Sequence, residues 1–486
     1  MAEIITSKKV IFMNMKWIAT FIGTLIYFHG FGQKLIVSDE IPLRSEVKYD
    51  ILGEIKGNAL MMSTIGLKYE ISGFDEQMRN SWTKELNFEK KQIGIMGYNV
   101  RESDFTLIYQ VRQQGDTYLR AHRYDASANL KDSVTLINMG FVVFFPEYEM
   151  VISEDRNKVL FYAIDKGNEL HAFVLDNETM DLLWEKRIVI DSYSNFDNPM
   201  SVTIDNEGNM YSFIQESVYK QRREEGHFRL IIYGKGQFGP KISTIHLGEK
   251  VVYDARFIFD NLNKKLIASG FYYNRNPEKA EGYFLVNLSP EGNLEKAKLQ
   301  AFNDRFVSDL EGKDSRNNRG IMNINIADLI LRRDGGLLIV GEESQDMERR
   351  INNMNRMMYD NFSRSIIDYY YNDIFIIAIN PDGEFHWQSV LYKKQYSQDD
   401  MGAFSSFFIF RTPEKLHLLF NDEIKYENTV SEYLLRGDGK SERKSILSTE
   451  NQKIRLRFKD ALQVNAQRII IPSERRGRLR LARLEF

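Results

Sequence analysis

Apolar residues along this chain fall in short runs, and the clearest set lies between Asn325 and Leu391. Four runs rich in Ile, Leu, Val and Phe are broken there by Asp334–Gly335, by a polar insert, and by Asp382–Gly383. Glycine after aspartate supplies the positive φ that a tight hairpin turn needs. Runs this short, rich in β-branched and aromatic residues, predict strands rather than helices. The stretch reads as a four-stranded antiparallel meander with an insert between its second and third strands.

The same pattern can be laid over most of the chain. It divides into Tyr49–Leu86, Gln92–Met139, Tyr148–Ile190, Met200–Leu247, Asp254–Ala301, Asn325–Leu391, Ala403–Leu447 and a shorter Ile454–Phe486. Four-stranded units recurring about every fifty residues predict a β-propeller, each meander being one blade. The last unit has three runs, and Lys34–Pro42 supplies a spare strand at the other end. Pairing that strand into the last blade closes the ring and removes exposed edges. The expectation is an all-β, eight-bladed propeller, with seven blades as the alternative, in a single domain over 33–486.

Strand direction alternates within a blade. Loops between second and third strands therefore share a face with the blade-to-blade connections. The longest irregular stretches, Val218–His227, Tyr273–Gly282, Asn303–Gly320 and Ser344–Asn372, all belong to that set. One face, over blades 4 to 6, is elaborated, and binding surfaces are built on such loops above a rigid scaffold. Within the insert at 344–371, Met347, Ile351, Met354, Met358 and Phe362 recur at helical spacing, with Arg349 and Arg356 off the stripe and Tyr369 and Tyr370 following. That spacing predicts a helix of roughly four turns. Such a helix either docks on its own propeller or presents adaptable methionines to a partner.

Composition narrows the function classes. A net charge of −3 gives no global attraction to nucleic acid, and none is expected as a partner. The absence of cysteine rules out disulfides, thiolate nucleophiles and cysteine metal sites. At the N-terminus, Lys8, Lys9 and Lys16 precede the apolar run Trp17–Phe28, followed by small residues at Gly30 and Gly32. This predicts a secretory signal peptide over 1–32, too short to span a membrane comfortably, and an exported mature chain without a transmembrane span.

Three tryptophans, Trp82, Trp184 and Trp387, open the last strand of their blades after acidic turns at Asp75, Asp176 and Asp382. Asp176–Trp184 reads DNETMDLLW, which resembles the tryptophan-docking motif of pyrroloquinoline-quinone-type propellers, D-x-x-T-G-x-x-x-W, with Met180 in place of glycine. The resemblance covers three blades, only one of them closely. It implies eight blades and a structural role for the three tryptophans between neighbouring blades. That class includes quinone-dependent dehydrogenases and cofactor-free outer-membrane assembly scaffolds. The dehydrogenases carry an adjacent-cysteine disulfide at the cofactor, which a chain without cysteine cannot form. The resemblance therefore implies the scaffold type and no cofactor.

Other chemistry is not indicated. The seven histidines show no HxH or HExxH spacing, so no metal site is expected. Neither a GxSxG elbow nor a phosphate-cradling glycine loop is present, and no catalytic residue is assigned. The reading is an exported, non-enzymatic propeller in the periplasm or at the outer-membrane surface. It serves as a protein-interaction scaffold or accessory subunit of an envelope complex, docking a protein partner through the blade 4–6 face. The alternative is a carbohydrate-active or glycan-binding propeller with its site at the axial channel.

Overall fold

The computed structural model describes residues 33–43, 47–90, 92–191, 193, 199–220, 223–274, 276–312, 320–350, 365–422, 424, 429–449 and 454–486. Among them the strands form eight antiparallel sheets of four principal strands, ordered as in the sequence apart from the last. The first strands of blades 1 to 6 touch in succession around a central axis. The protein is an all-β, eight-bladed propeller.

Blade 1 runs from Val47–Ile55 to Asn80–Glu85, blade 2 from Ile93–Val100 to Leu130–Asn138, and blade 3 from Glu149–Ile152 to Asp181–Val189. Blade 4 runs from Met200–Ile204 to Lys241–His246 and blade 5 from Val251–Asp260 to Leu294–Ala301. Blade 6 spans Ile324–Leu331 to Phe385–Leu391, and blade 7 Phe408–Arg411 to Ser441–Ser448. Blade 8 takes Leu462–Gln463, Arg468–Arg475 and Arg478–Glu485 from the C-terminus and Lys34–Val37 from the N-terminus. Lys34 pairs with Glu485 and Val37 with Ala482, so the ring is closed by the strand that the short last unit called for.

The core explains why the second and third strands are apolar on both sides. Eight hydrophobic clusters occupy the eight blade-to-blade interfaces, and each middle strand faces a neighbouring blade on either side. Outer strands such as Leu294–Ala301 have one face in water and are correspondingly polar. Burial between flat sheets favours β-branched and aromatic side chains, which dominate this sequence.

The tryptophans link blades. Trp184 Nε1 donates to the Gly208 carbonyl of blade 4 at 2.8 Å, and Trp387 Nε1 to the Gly437 carbonyl of blade 7 at 3.0 Å. Trp82 packs at the interface of blades 1 and 2 and lies over Gly73, where a Cβ would collide with the indole. Met180 has a φ of 63°, the left-handed conformation that a glycine would adopt without strain. Met78 and Ala128 do the same in the equivalent turns of blades 1 and 2. All three side chains are buried in interface clusters, which offsets a strain of about 1 kcal/mol.

The insert departs from expectation. Its described parts are strand: Leu337–Arg350 and Ser365–Ile379 continue the second and third strands of blade 6 past a one-residue register shift between Glu342 and Ser344, with Met347 opposite Asp368 and Arg350 opposite Ser365. Met347 and Arg349 therefore sit on a hairpin strand and not on a helix, and Tyr369 and Tyr370 lie in the returning third strand. The physical reason lies in the returning strand, where Ile366, Ile367, Tyr369 and Tyr370 favour the pleated surface and each added pair extends an existing ladder. Ile351, Met354, Arg356, Met358 and Phe362 lie outside the described residues. A helix does occur in the elaborated region, at a place read as loop. Helix α1 (Asp304–Glu311) is capped by the Asn303 side chain, which accepts from Phe306 N at 2.9 Å, and ends at Gly312 with φ 63°. It buries Phe306 between blades 5 and 6.

Candidate functional site

The blade-to-blade face rises over blades 4 to 6. In blade 4, Met210–Lys220 and Arg223–Tyr233 pair along their whole length. Between blades 5 and 6, Lys279–Ala280 pairs with Ile321–Met322 beside helix α1. The tallest element is the blade-6 hairpin. The first strand of that blade ends its pairing at Ile324–Glu343, beyond which Ser344–Arg350 and Tyr371–Ser365 continue for roughly 20 Å. A third strand, Gln395–Gln398, comes from the connection to blade 7 and buttresses the returning strand from Tyr371 to Asp368.

The centre of this projection is a polar lock. Arg349 chelates Asp368, its Nε to one carboxylate oxygen and its Nη2 to the other at 3.1 Å. Tyr396 Oη and Gln398 Nε2 donate to Asp368 Oδ1 at 2.7 and 3.0 Å. The Arg349 bonds, then those of Tyr396 and Gln398, hold the Asp368 carboxyl down to about 2. Tyr370 and Tyr396 lie ring to ring at 5.1 Å. Of the residues read as partner-binding, Met347 is exposed, Arg349 is committed to Asp368, Tyr369 is buried and Tyr370 packs on Tyr396.

Beneath the hairpin is a buried charged network that the sequence reading missed. Lys393 Nζ donates to Glu342 Oε1 at 2.7 Å, Tyr371 O at 2.9 Å and Gln395 Oε1 at 3.0 Å. Ser406 Oγ donates to the other Glu342 oxygen at 2.6 Å, and Gln395 Nε2 to Asn421 O at 2.7 Å. Burial lowers the Lys393 ammonium pKa, against the pull of Glu342. All three ammonium donors are satisfied, so the lysine ties the hairpin base to the outgoing connection, which Gln395 fastens to blade 7, and is no poised nucleophile. The loop above it turns sharply, with Asp399, Met401 and Ser406 all at positive φ. Asp400 fixes this turn by accepting from Ser397 Oγ at 2.7 Å and Gly402 N at 2.9 Å. Met401 is left at its exposed tip.

The axis is polar. Arg411 of blade 7 pairs with Asp328 of blade 6, and Gln463 of blade 8 exchanges bonds with the Arg411 backbone at 3.0 and 2.7 Å. At the mouth on the elaborated face, Tyr49, Asp50, Tyr98, Arg457 and Glu474 line a hollow of about 700 Å³. Burial raises the Asp50 carboxyl. Arg457 Nη1 pairs with Glu474 at 2.6 Å, and Tyr49 Oη donates to the same carboxylate. Among the described residues no group of three or more His, Asp or Glu side chains is arranged to hold a metal ion.

No family model and no curated protein matches the chain. Among solved structures it is similar to the polysaccharide lyase Uly1, at 8% identity and a TM-score of 0.41, over 81% of this chain and 90% of that one. It is similar to Porphyromonas gingivalis dipeptidyl peptidase 4, at 10% identity and a TM-score of 0.43, over 88% of this chain and 56% of that one. The β-propeller domain of the Trilobed protease from Pyrococcus furiosus gives 8% identity and a TM-score of 0.37, over 85% and 98%. At this level of likeness no function passes across.

Proposed function

We propose that this protein is an exported, non-enzymatic propeller, a scaffold or accessory subunit of a bacterial envelope complex whose protein partner seats on the hairpins over blades 4 to 6. The observation that carries the reading is the blade-6 hairpin. It projects beyond its blade, is buttressed by Gln395–Gln398, and is locked by Arg349 and Asp368. A rigid projection on one face suits recognition, in which pre-ordering lowers the entropic cost of association. The tryptophan contacts between blades fit the structural role that the resemblance to quinone-type propellers implies. Export rests on the Lys8–Gly32 pattern, and the outer-membrane location on the resemblance to assembly scaffolds.

The test is capture from a native envelope fraction. Because Arg350 faces Ser365, residues 351–364 can be replaced by Asn-Gly so that the hairpin closes directly. That variant, combined with Met347→Ser, is expected to melt like the parent and to lose the captured partner. Recovery of the same partner at the same yield sinks the reading.

A second reading, glycan binding at the axial mouth, is favoured by the polar hollow around Tyr49, Asp50 and Arg457. Saturable binding of an oligosaccharide that Asp50→Asn abolishes is the result that would establish it.

A further inference from the structure

The blade-to-blade face has a second distinctive region, across blades 1 to 3. In the connection from blade 2 to blade 3, Phe141, Val143 and Phe144 are 73%, 65% and 84% exposed. Leu67, in the hairpin turn of blade 1, and Val189, at the matching end of blade 3, are exposed as well. Large apolar side chains in water at neighbouring tips are unfavourable and mark interaction surfaces. The connection is firmly held. Arg112 Nη2 donates to the carbonyls of Val142 and Val143 at 2.6 and 3.0 Å, and Gln110 Nε2 to that of Pro146 at 2.6 Å. Phe145 turns inward against Gly94, where any Cβ would be crowded. With the backbone fixed this way, Phe141 and Phe144 stay outward. Lys90 and Arg112 line the same hollow as Val143 and Phe144.

Two features select the occupant. The apolar tips are spread over three adjacent blades instead of gathered in one pit, which matches a plane better than a groove. Lys90 and Arg112 share a hollow with Val143 and Phe144, and cations beside membrane-seated aromatic rings meet phosphate headgroups. We propose that Phe141–Phe144 is a membrane-insertion loop that seats blades 1 to 3 on a bilayer bearing anionic headgroups. Its residues are separate from the hairpin residues of blades 4 to 6, so either reading can fail alone. The blade-6 hairpin stands across the ring, and the bilayer therefore meets the rim of blades 1 to 3 at a tilt.

The chain has no cysteine, so Phe144→Cys creates a single site for an environment-sensitive fluorophore. Phe238→Cys, on a fully exposed turn of the opposite face, is the control. Phosphatidylcholine vesicles containing phosphatidylglycerol are expected to blue-shift the label at 144 and leave that at 238 unchanged. The readout is local and does not depend on residues 1–32. With the label moved to Val143→Cys, adding Phe141→Ser and Phe144→Ser is expected to weaken the vesicle titration by about tenfold or more. Lys90→Gln or added salt is expected to weaken it further, with melting unchanged because every altered side chain is exposed. No shift at 144 with these vesicles, an equal shift at 238, or a titration indifferent to the two phenylalanines overturns the proposal.

Discussion

Arg483 of the last blade, wholly buried, donates to the carboxylate of Glu54 in the first blade at 3.2 Å. Arg468 approaches the other Glu54 oxygen at 2.9 Å, and Arg483 also donates to Glu76 O at 3.0 Å. The two ends of the chain thus meet in a two-arginine, one-carboxylate clasp at the seam where the ring closes. Taking such charges out of water is costly, and removing one partner leaves the other uncompensated.

Glu54→Gln is therefore expected to destabilise the protein by about 3–5 kcal/mol in urea unfolding. Replacing the pair by apolar residues, Glu54→Leu with Arg483→Met, is expected to cost much less than the single change. A Glu54→Gln variant within about 0.5 kcal/mol of the parent, the usual range for a surface substitution, would show that the clasp does not hold the seam.

The tryptophans allow a graded test. Trp184 is buried and its indole N–H satisfies a carbonyl of the next blade, whereas the matching bond of Trp387 is solvent-exposed. Trp184→Phe leaves a buried carbonyl without its donor and is expected to cost about 1–3 kcal/mol. Trp387→Phe, where water can replace the indole, is expected to cost less than Trp184→Phe. Equal losses in thermal melts of the two variants would contradict a docking role set by burial.

Much of the architecture is legible in the residues because a blade writes itself locally. Asp382–Gly383 sets a turn, Phe375–Ile379 is apolar on both faces because it lies between two blades, and a short last unit asks for Lys34–Val37. The elements that were misread are those whose local signal is ambiguous or whose cause is distant. Met347, Ile351 and Met354 have helical spacing, yet Ile366, Ile367 and Tyr369 across the hairpin decide the ladder. Helix α1 was marked by Asn303 and Gly312, a cap at each end, inside a polar stretch that looked like loop. The bond between Lys393 and Glu342 joins residues on different strands of one blade and its outgoing connection, and nothing in either neighbourhood announces it. The exposure of Phe141 and Phe144 is likewise a property of the fold, since FVVFF alone reads as a strand.

The lock at Asp368 gives the hairpin a pH dependence whose sign can be stated. Its carboxyl sits at about 2 against an ordinary value of 3.8, mainly because Arg349 donates to it. A depressed carboxylate contributes stability that is fully present above the ordinary value and is lost as pH falls through the folded one. Amide protection of Ile366–Tyr371 is therefore expected to hold above about pH 4 and to fall between there and pH 2, after correction for the intrinsic exchange rate. The blades, sealed by apolar interfaces, are expected to keep their protection longer over the same range. Asp368→Asn retains the shape but removes the charge, so its hairpin is expected to exchange faster at neutral pH and to show no such acid transition. Hydrogen exchange followed peptide by peptide distinguishes these outcomes. A parent hairpin that stays protected below pH 2, or an Asp368→Asn hairpin as well protected as the parent's at neutral pH, would mean that ladder pairing alone holds the projection upright.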